Sequence, residues 1–106
     1  MESKPVSEAI AFSEEKIKKN SLFDSPYLIY DVYCLLPGQQ QKVHTHENSD
    51  KVYYVLEGAG RFTVGDEERD LPRGHAVLAP AGVPHGVRNA VGEPLVLLVT
   101  MAPKPT

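Results

Sequence analysis

The sequence predicts an all-β chain, a small barrel or sandwich with one short helical segment near its N-terminus. Three observations point there. From Tyr27 onward the residues fall into short runs rich in Val, Tyr, Leu and Thr; Gly and Pro interrupt those runs at regular intervals; and 106 residues suffice for one core with no room for a second domain. Eight short strands in an open sheet would leave exposed edges, so closure or sandwiching is the expected solution.

Residues 1–20 hold the one candidate helix. Ser13 is placed to cap it, Glu14 and Glu15 fall in its first turn, and Lys16, Lys18 and Lys19 load its C-terminal end, a charge order that suits the helix dipole. The expected organisation is an N-terminal extension over 1–24, a barrel over 25–102 and a disordered or extended tail over 103–106. The expected strands are Leu28 to Leu36, Gln41 to His46, Lys51 to Leu56, Gly60 to Val64, Glu68 to Leu71, Ala76 to Ala79, His85 to Asn89 and Leu95 to Met101. Turns rich in Gly and Pro separate them, among them Pro37-Gly38, Gly65-Asp66 and Pro72-Arg73-Gly74.

A formal charge of −3 and a pI near 5.7 argue against binding to a nucleic-acid backbone, which calls for a clustered basic face. No stretch approaches the roughly 20 apolar residues that span a bilayer, so a soluble, cytoplasmic protein is expected. The single cysteine, Cys34, lies in the apolar run Val32 to Leu36 and reads as a buried, inert thiol.

The chemistry concentrates on histidine. His44 and His46 flank Thr45 in an expected strand, where alternate residues share a face, so both imidazoles project the same way and can chelate one ion. Two exposed histidines on a sheet would show the same pattern. Their context is more specific. Gly38 stands six residues before His44 and Gly58 closes the following strand, so this stretch resembles the first cupin motif, G(x)5HxH(x)3-4E(x)6G. The stretch from Gly74 through Pro80, Gly82 and His85 to Asn89 is similar to the second, G(x)5PxG(x)2H(x)3N, at every defined position. Together the two cover residues 38 to 89, about half the chain, with a short spacer of 15 residues between Gly58 and Gly74.

The resemblance implies a small double-stranded β-helix, the jelly-roll barrel of cupins, in which the motif histidines converge on a metal. Carried over by position, the ligands are His44, His46 and His85, and the metal is a divalent transition ion, Fe, Zn, Ni, Cu or Mn. The motif's glutamate has no counterpart. Its place is taken by Lys51, and Asp50 beside it should point to the opposite face of the same strand. An ammonium about 5 Å from a divalent ion would be repelled by roughly 6 to 7 kcal/mol at an effective dielectric near 20. Three outcomes relieve this: the amine turns away from the ion, it loses its proton through burial, or the site holds no metal. A register slip would instead bring Asp50 or Glu47 to the ion.

By strand parity Tyr53 and Val55 share the face of Lys51, with Phe62 or Thr63 beside them. Lys51, Tyr53 and Phe62 are therefore the candidate substrate-binding residues. His75 reads as a surface or outer residue and Asn89 as a structural hydrogen-bonding group. Three neutral imidazoles leave a divalent charge uncompensated, which suits a small anionic chelating ligand such as a carboxylate, keto acid or enediol, and imidazole ligation fits Zn, Cu, Fe and Ni better than Mg or Ca. The expected function is a metal-binding cupin holding such a ligand. The alternatives are a three-histidine metal-dependent dioxygenase, implied by the resemblance, and a metal-free small-molecule or sugar-binding sensor module. Leu95-Val96-Leu97-Leu98-Val99 could present an apolar outer face, and with the dimers common among cupins it suggests a homodimer.

Overall fold

Each strand expected from the Gly and Pro punctuation forms, in a computed structural model that describes residues 1–105; Thr106, the last residue of the expected tail, lies outside them. In chain order the elements are a 3-10 turn at Val6–Ala9, then β1 (Lys18–Asp24), β2 (Ile29–Leu35), β3 (Gln40–His44), β4 (Asp50–Glu57), β5 (Ala59–Val64), β6 (Glu67–Pro72), β7 (Ala76–Ala79), β8 (His85–Arg88) and β9 (Leu95–Ala102). They make two antiparallel sheets, ordered β1-β2-β9-β4-β7 and β3-β8-β5-β6, which pack face to face as a jelly roll.

The N-terminal stretch corrects the sequence expectation. Its only helical element among the described residues is the turn at Val6–Ala9, and Lys18 and Lys19 belong to a strand. Ser13 does accept the Glu15 N–H through its Oγ at 3.2 Å, but as a local turn with no helix behind it. The expected helix was too short to persist on local propensity, whereas β1 pairs along β2 at six positions, from Lys18 opposite Cys34 to Asp24 opposite Ile29, with a bulge at Leu22.

Alternation along the strands sorts two cores. In β4, Lys51, Tyr53 and Val55 point inward and are buried, while Val52 and Tyr54 point out. The inward residues meet Tyr33, Leu35, Leu97 and Phe62 between the sheets. On the outer side of the larger sheet, Val32, Cys34 and Val96 are covered by Ala9 with Val6, Ile10 and Phe12. Asn20 fastens that cover, its Nδ2 donating to the carbonyls of Ala9 and Ala11 at 2.9 and 3.1 Å.

Strand β9 is thus buried on both faces, against the expectation of an exposed apolar ribbon: Leu95, Leu97 and Val99 face the barrel, and Val96 lies under the N-terminal segment. The exposed apolar residues of this sheet are instead Val52, Tyr54 and Leu78, at 38, 39 and 56% accessibility, on neighbouring strands β4 and β7. The tail is tied down as far as it is described. Ser49 Oγ donates to the Pro103 carbonyl, the Lys104 N–H donates to the Tyr27 carbonyl, and the Lys104 amine pairs with Asp24.

Cys34 is fully buried, and burial raises its thiol pKa, so it should resist thiol reagents in the intact chain. Deleting residues 1–12 uncovers it. Each large apolar side chain in that cover is worth about 1.5–3 kcal/mol, so the truncated chain should unfold several kcal/mol more easily in urea and label rapidly at Cys34; a thiol that stays unreactive after truncation would contradict the described cover.

Candidate metal centre

The histidines are positioned by a fault in register. Between Gln41 and His44 of β3 run three residue steps, but their partners on β8, Val87 and His85, are two apart. One extra residue therefore sits in β3 as a bulge, and it places Gln41 and His44 on the same inward face although their spacing is odd. Opposite the bulge stands Gly86, where a Cβ would lie 2.7 Å from the Gln41 carbonyl oxygen and 2.9 Å from the Val43 nitrogen. Only glycine leaves room for this approach.

The second histidine loop is pinned to the first. Gly82, at φ +80°, donates its N–H to the His46 carbonyl at 2.8 Å, and the Ala81 N–H donates to Asp50 Oδ1 at 2.8 Å. Asp50 thus faces away from the histidines, as parity demanded, and joins the two loops. Neither Asp50 nor Glu47 belongs to the histidine group.

His44, His46 and His85 each offer one ring nitrogen, all within 4.8 Å of one another. Backbone carbonyls orient two of the rings: His44 Nδ1 lies 2.8 Å from the Lys42 carbonyl and His85 Nδ1 2.9 Å from that of Val83. With the proton on Nδ1, each Nε2 carries a free lone pair directed at the group. His44 Nε2 and His46 Nε2 are 3.0 Å apart, and His85 Nε2 is buried with no hydrogen-bond partner. Two nitrogens bound at about 2.1 Å to one tetrahedral or facially octahedral ion stand about 3.0–3.4 Å apart, so the widest pair must draw together by more than about 1 Å on binding. The donor set otherwise fits a divalent transition ion. Burial is the first cause lowering the pKa of all three imidazoles, with the positive charge of Lys51 adding to it, so they are neutral near pH 7 as ligation requires.

Lys51 is fully buried, with 0% of its surface accessible. Its Nζ donates to Gln41 Oε1 at 3.1 Å, and the Tyr53 hydroxyl donates to the same oxygen at 2.7 Å. The amine sits 4.9 Å from the ring centres of both Tyr33 and Tyr53. It has no carboxylate within ion-pair reach among the described residues. Burial, then the charge of Lys19, brings its pKa down to about 7, with Asp31 opposing. The amine therefore donates to a neutral amide and is readily deprotonated, the second of the three ways by which the expected repulsion is relieved.

Among the other expected residues, Tyr53 joins Lys51 through Gln41 and lies 6.3 Å from His85, ring to ring. Phe62 packs on Tyr53 at 5.4 Å, and also floors a groove of about 230 Å3 with Val64, Leu71 and Val77 where the sheets part between β6 and β7. His75 is exposed and outside the group. Asn89 is structural: its Nδ2 donates to the carbonyls of Leu35 and Glu93 at 2.9 and 2.8 Å. Gln41, Tyr33, Asp31 and Lys19 were not expected. Gln41 was hidden by the bulge, which defeats parity counting, and Lys19 by its apparent place in a helix.

Comparison with known proteins agrees with this fold. The cupin domain family matches residues 31–101, and the chain belongs to that family. It is 32% identical over 66 residues to the uncharacterized protein MJ1618 of Methanocaldococcus jannaschii, a match covering 62% of this chain and 53% of that one, so the chain spans about half the length of this curated relative. The crystal structure of TT1209 from Thermus thermophilus superposes with a TM-score of 0.96 at 52% identity, covering 99% of this chain and 100% of that one. An RmlC-like cupin protein from Desulfovibrio desulfuricans superposes at 0.85 with 32% identity over 98% of both chains.

Two outcomes test the site's construction. Gly86→Ala should cost about 1–3 kcal/mol, as overpacking against fixed backbone does, measured by urea unfolding. For Lys51, the folded pKa of about 7 lies below the ordinary 10.5, so between these values the unfolded chain holds the extra proton and stability rises with pH. Lys51→Met should therefore be more stable than the parent by a few kcal/mol at pH 6, and the difference should shrink steadily toward pH 10. A difference independent of pH would show that the amine is not desolvated.

Proposed function

We propose that this cupin holds a divalent transition metal on His44, His46 and His85 and binds a small anionic organic ligand beside it. The observation that carries the reading is the convergence of three imidazole nitrogens, one of them, His85 Nε2, buried with no partner. An orphaned buried acceptor is costly unless something fills its lone pair. When bound, such an ion supplies Lewis acidity and open positions for a ligand's oxygen atoms.

The residues of the chain supply the rest. The three ligands are neutral and no carboxylate among the described residues joins them, so the site has no built-in anion. Lys51, buried without a carboxylate partner, adds a potential cation. An incoming carboxylate or enediolate would supply the missing negative charge. Tyr53, held by Gln41, and Phe62 would form the apolar wall that orients the ligand's carbon skeleton.

Elemental analysis of untagged protein should give close to one Fe, Zn, Ni, Cu or Mn per chain, falling below about a tenth in His85→Ala, since loss of one of three ligands removes several kcal/mol of metal affinity. Oxygen uptake with a redox metal bound would favour the dioxygenase. Ligand-induced stabilisation that persists unchanged with a chelator, in protein that takes up no ion, would replace this reading with a metal-free binding module.

We further propose a homodimer, now through Val52, Tyr54 and Leu78 rather than β9. Light scattering should give twice 11.7 kDa, and Leu78→Glu should return the mass to that of one chain. A parent mass of one chain would sink the dimer.

A further inference from the structure

The C-terminal tail walls a second space beside the histidines. A cavity of about 500 Å3 lies between loop 45–49 and tail 103–105, and His46 is part of its lining; the size is that of a small-molecule site. Asp50, the first residue of β4, lies opposite Ala102, the last of β9, so loop and tail leave the sheet side by side. Two bonds fix the tail there. Ser49, buried, donates its Oγ to the Pro103 carbonyl at 2.7 Å, and the Lys104 N–H donates to the Tyr27 carbonyl at 2.8 Å. The charges around the cavity are unequal. The Lys104 amine is paired with Asp24, and Asp50 accepts the Ala81 N–H, whereas Glu47 has no ion-pair partner among the described residues. A Cβ on Gly82 would stand 4.0 Å from Glu47 Oε2, and the Gly82 N–H is bonded to the His46 carbonyl. The Glu47 carboxylate therefore rests where the two histidine loops meet, in a cavity that His46 shares.

We infer that the cavity between loop 45–49 and the C-terminal tail is a subsite for a cationic nitrogen, recognised by Glu47, so that the ligand preferred here is an acid carrying an ammonium group a few carbons from its carboxylate. The inference deepens the reading of the histidines as a metal-dependent anion site and rests on it for the placement of the acid group. The two spaces have opposite needs: three neutral imidazoles around a divalent ion lack an anion, and the adjoining cavity holds a carboxylate that lacks a cation. An ω-amino acid supplies both in one molecule. Pro103 and Pro105 give the cavity a stiff apolar side along which its methylene chain can lie. Glu47 is exposed, so its contact with the ammonium group is screened by water and is worth about fivefold in affinity, the upper end for an exposed ion pair.

The test is calorimetric titration of zinc-loaded protein with 3-aminopropionate, 4-aminobutyrate and 5-aminopentanoate, against propionate, butyrate and pentanoate, which differ only in lacking the amine, with zinc content measured on each sample. At least one amino acid should bind about fivefold more tightly than its unsubstituted counterpart. Glu47→Gln, a change at an exposed position, should abolish that preference while the unsubstituted acids bind as before and zinc content holds. An amino acid preferred only because its nitrogen ligates zinc would remain preferred in Glu47→Gln, and that result would overturn the inference. Equal affinity for each pair of acids in the parent, or equal weakening of both by Glu47→Gln, would overturn it too, while zinc uptake and binding of the unsubstituted acids in the same samples would leave the metal reading standing. A preference that depends on Glu47 in protein that takes up no zinc would support the subsite and sink the metal site.

Discussion

One extra residue in β3 sets the geometry of everything inside the barrel. A regular ladder would send Gln41 and His44 to opposite faces, since their spacing is odd and side chains alternate. The bulge opposite Gly86 brings both inward. From Gln41 hangs the hydrogen-bonded group of Lys51 and Tyr53; from His44 the cluster with His46 and His85. Without the bulge, the residue that satisfies Lys51 and the residue that begins the histidine cluster could not both face the barrel interior.

The placement of Lys51 is the chemical departure from the family pattern. A glutamate there would complete a charged ligand set. A lysine makes the interior short of negative charge, and the fold accommodates it by three means seen together: an amide oxygen for the amine to donate to, two tyrosine rings beside it, and burial deep enough to release the proton near neutrality. Buried charges without partners are costly, which is why such a group tends toward its neutral form or toward an anion brought from outside. The anionic ligand proposed for this site follows from that imbalance.

The N-terminal segment has a role that its composition does not suggest. Val6, Ala9, Ile10 and Phe12 close the outer face of the larger sheet, and β1 extends that sheet so that Lys19 stands over Tyr33. The segment therefore both closes the outer core and sets a cation over a ring of the inner one. Local charge order favoured a helix over Ser13 to Asn20; a free strand edge on β2 outweighed it, because each residue of a paired strand gains ladder bonds that a two-turn helix in water does not secure.

The eight strands from β2 to β9, the turns between them and the histidine triad were legible in the chain itself. Period-two alternation, glycine and proline punctuation and motif spacing are local properties, and backbone sterics turn them into structure with little help from distant residues. The replacement of the glutamate by Lys51 was legible for the same reason. Three things were decided only by tertiary structure. The bulge in β3 depends on what stands opposite it, β1 exists because β2 offered an edge, and the outer face of β9 is buried because residues near the other end of the chain fold over it. Each is a contact between segments far apart in sequence, and their energies are set by pairing and packing that no local pattern encodes.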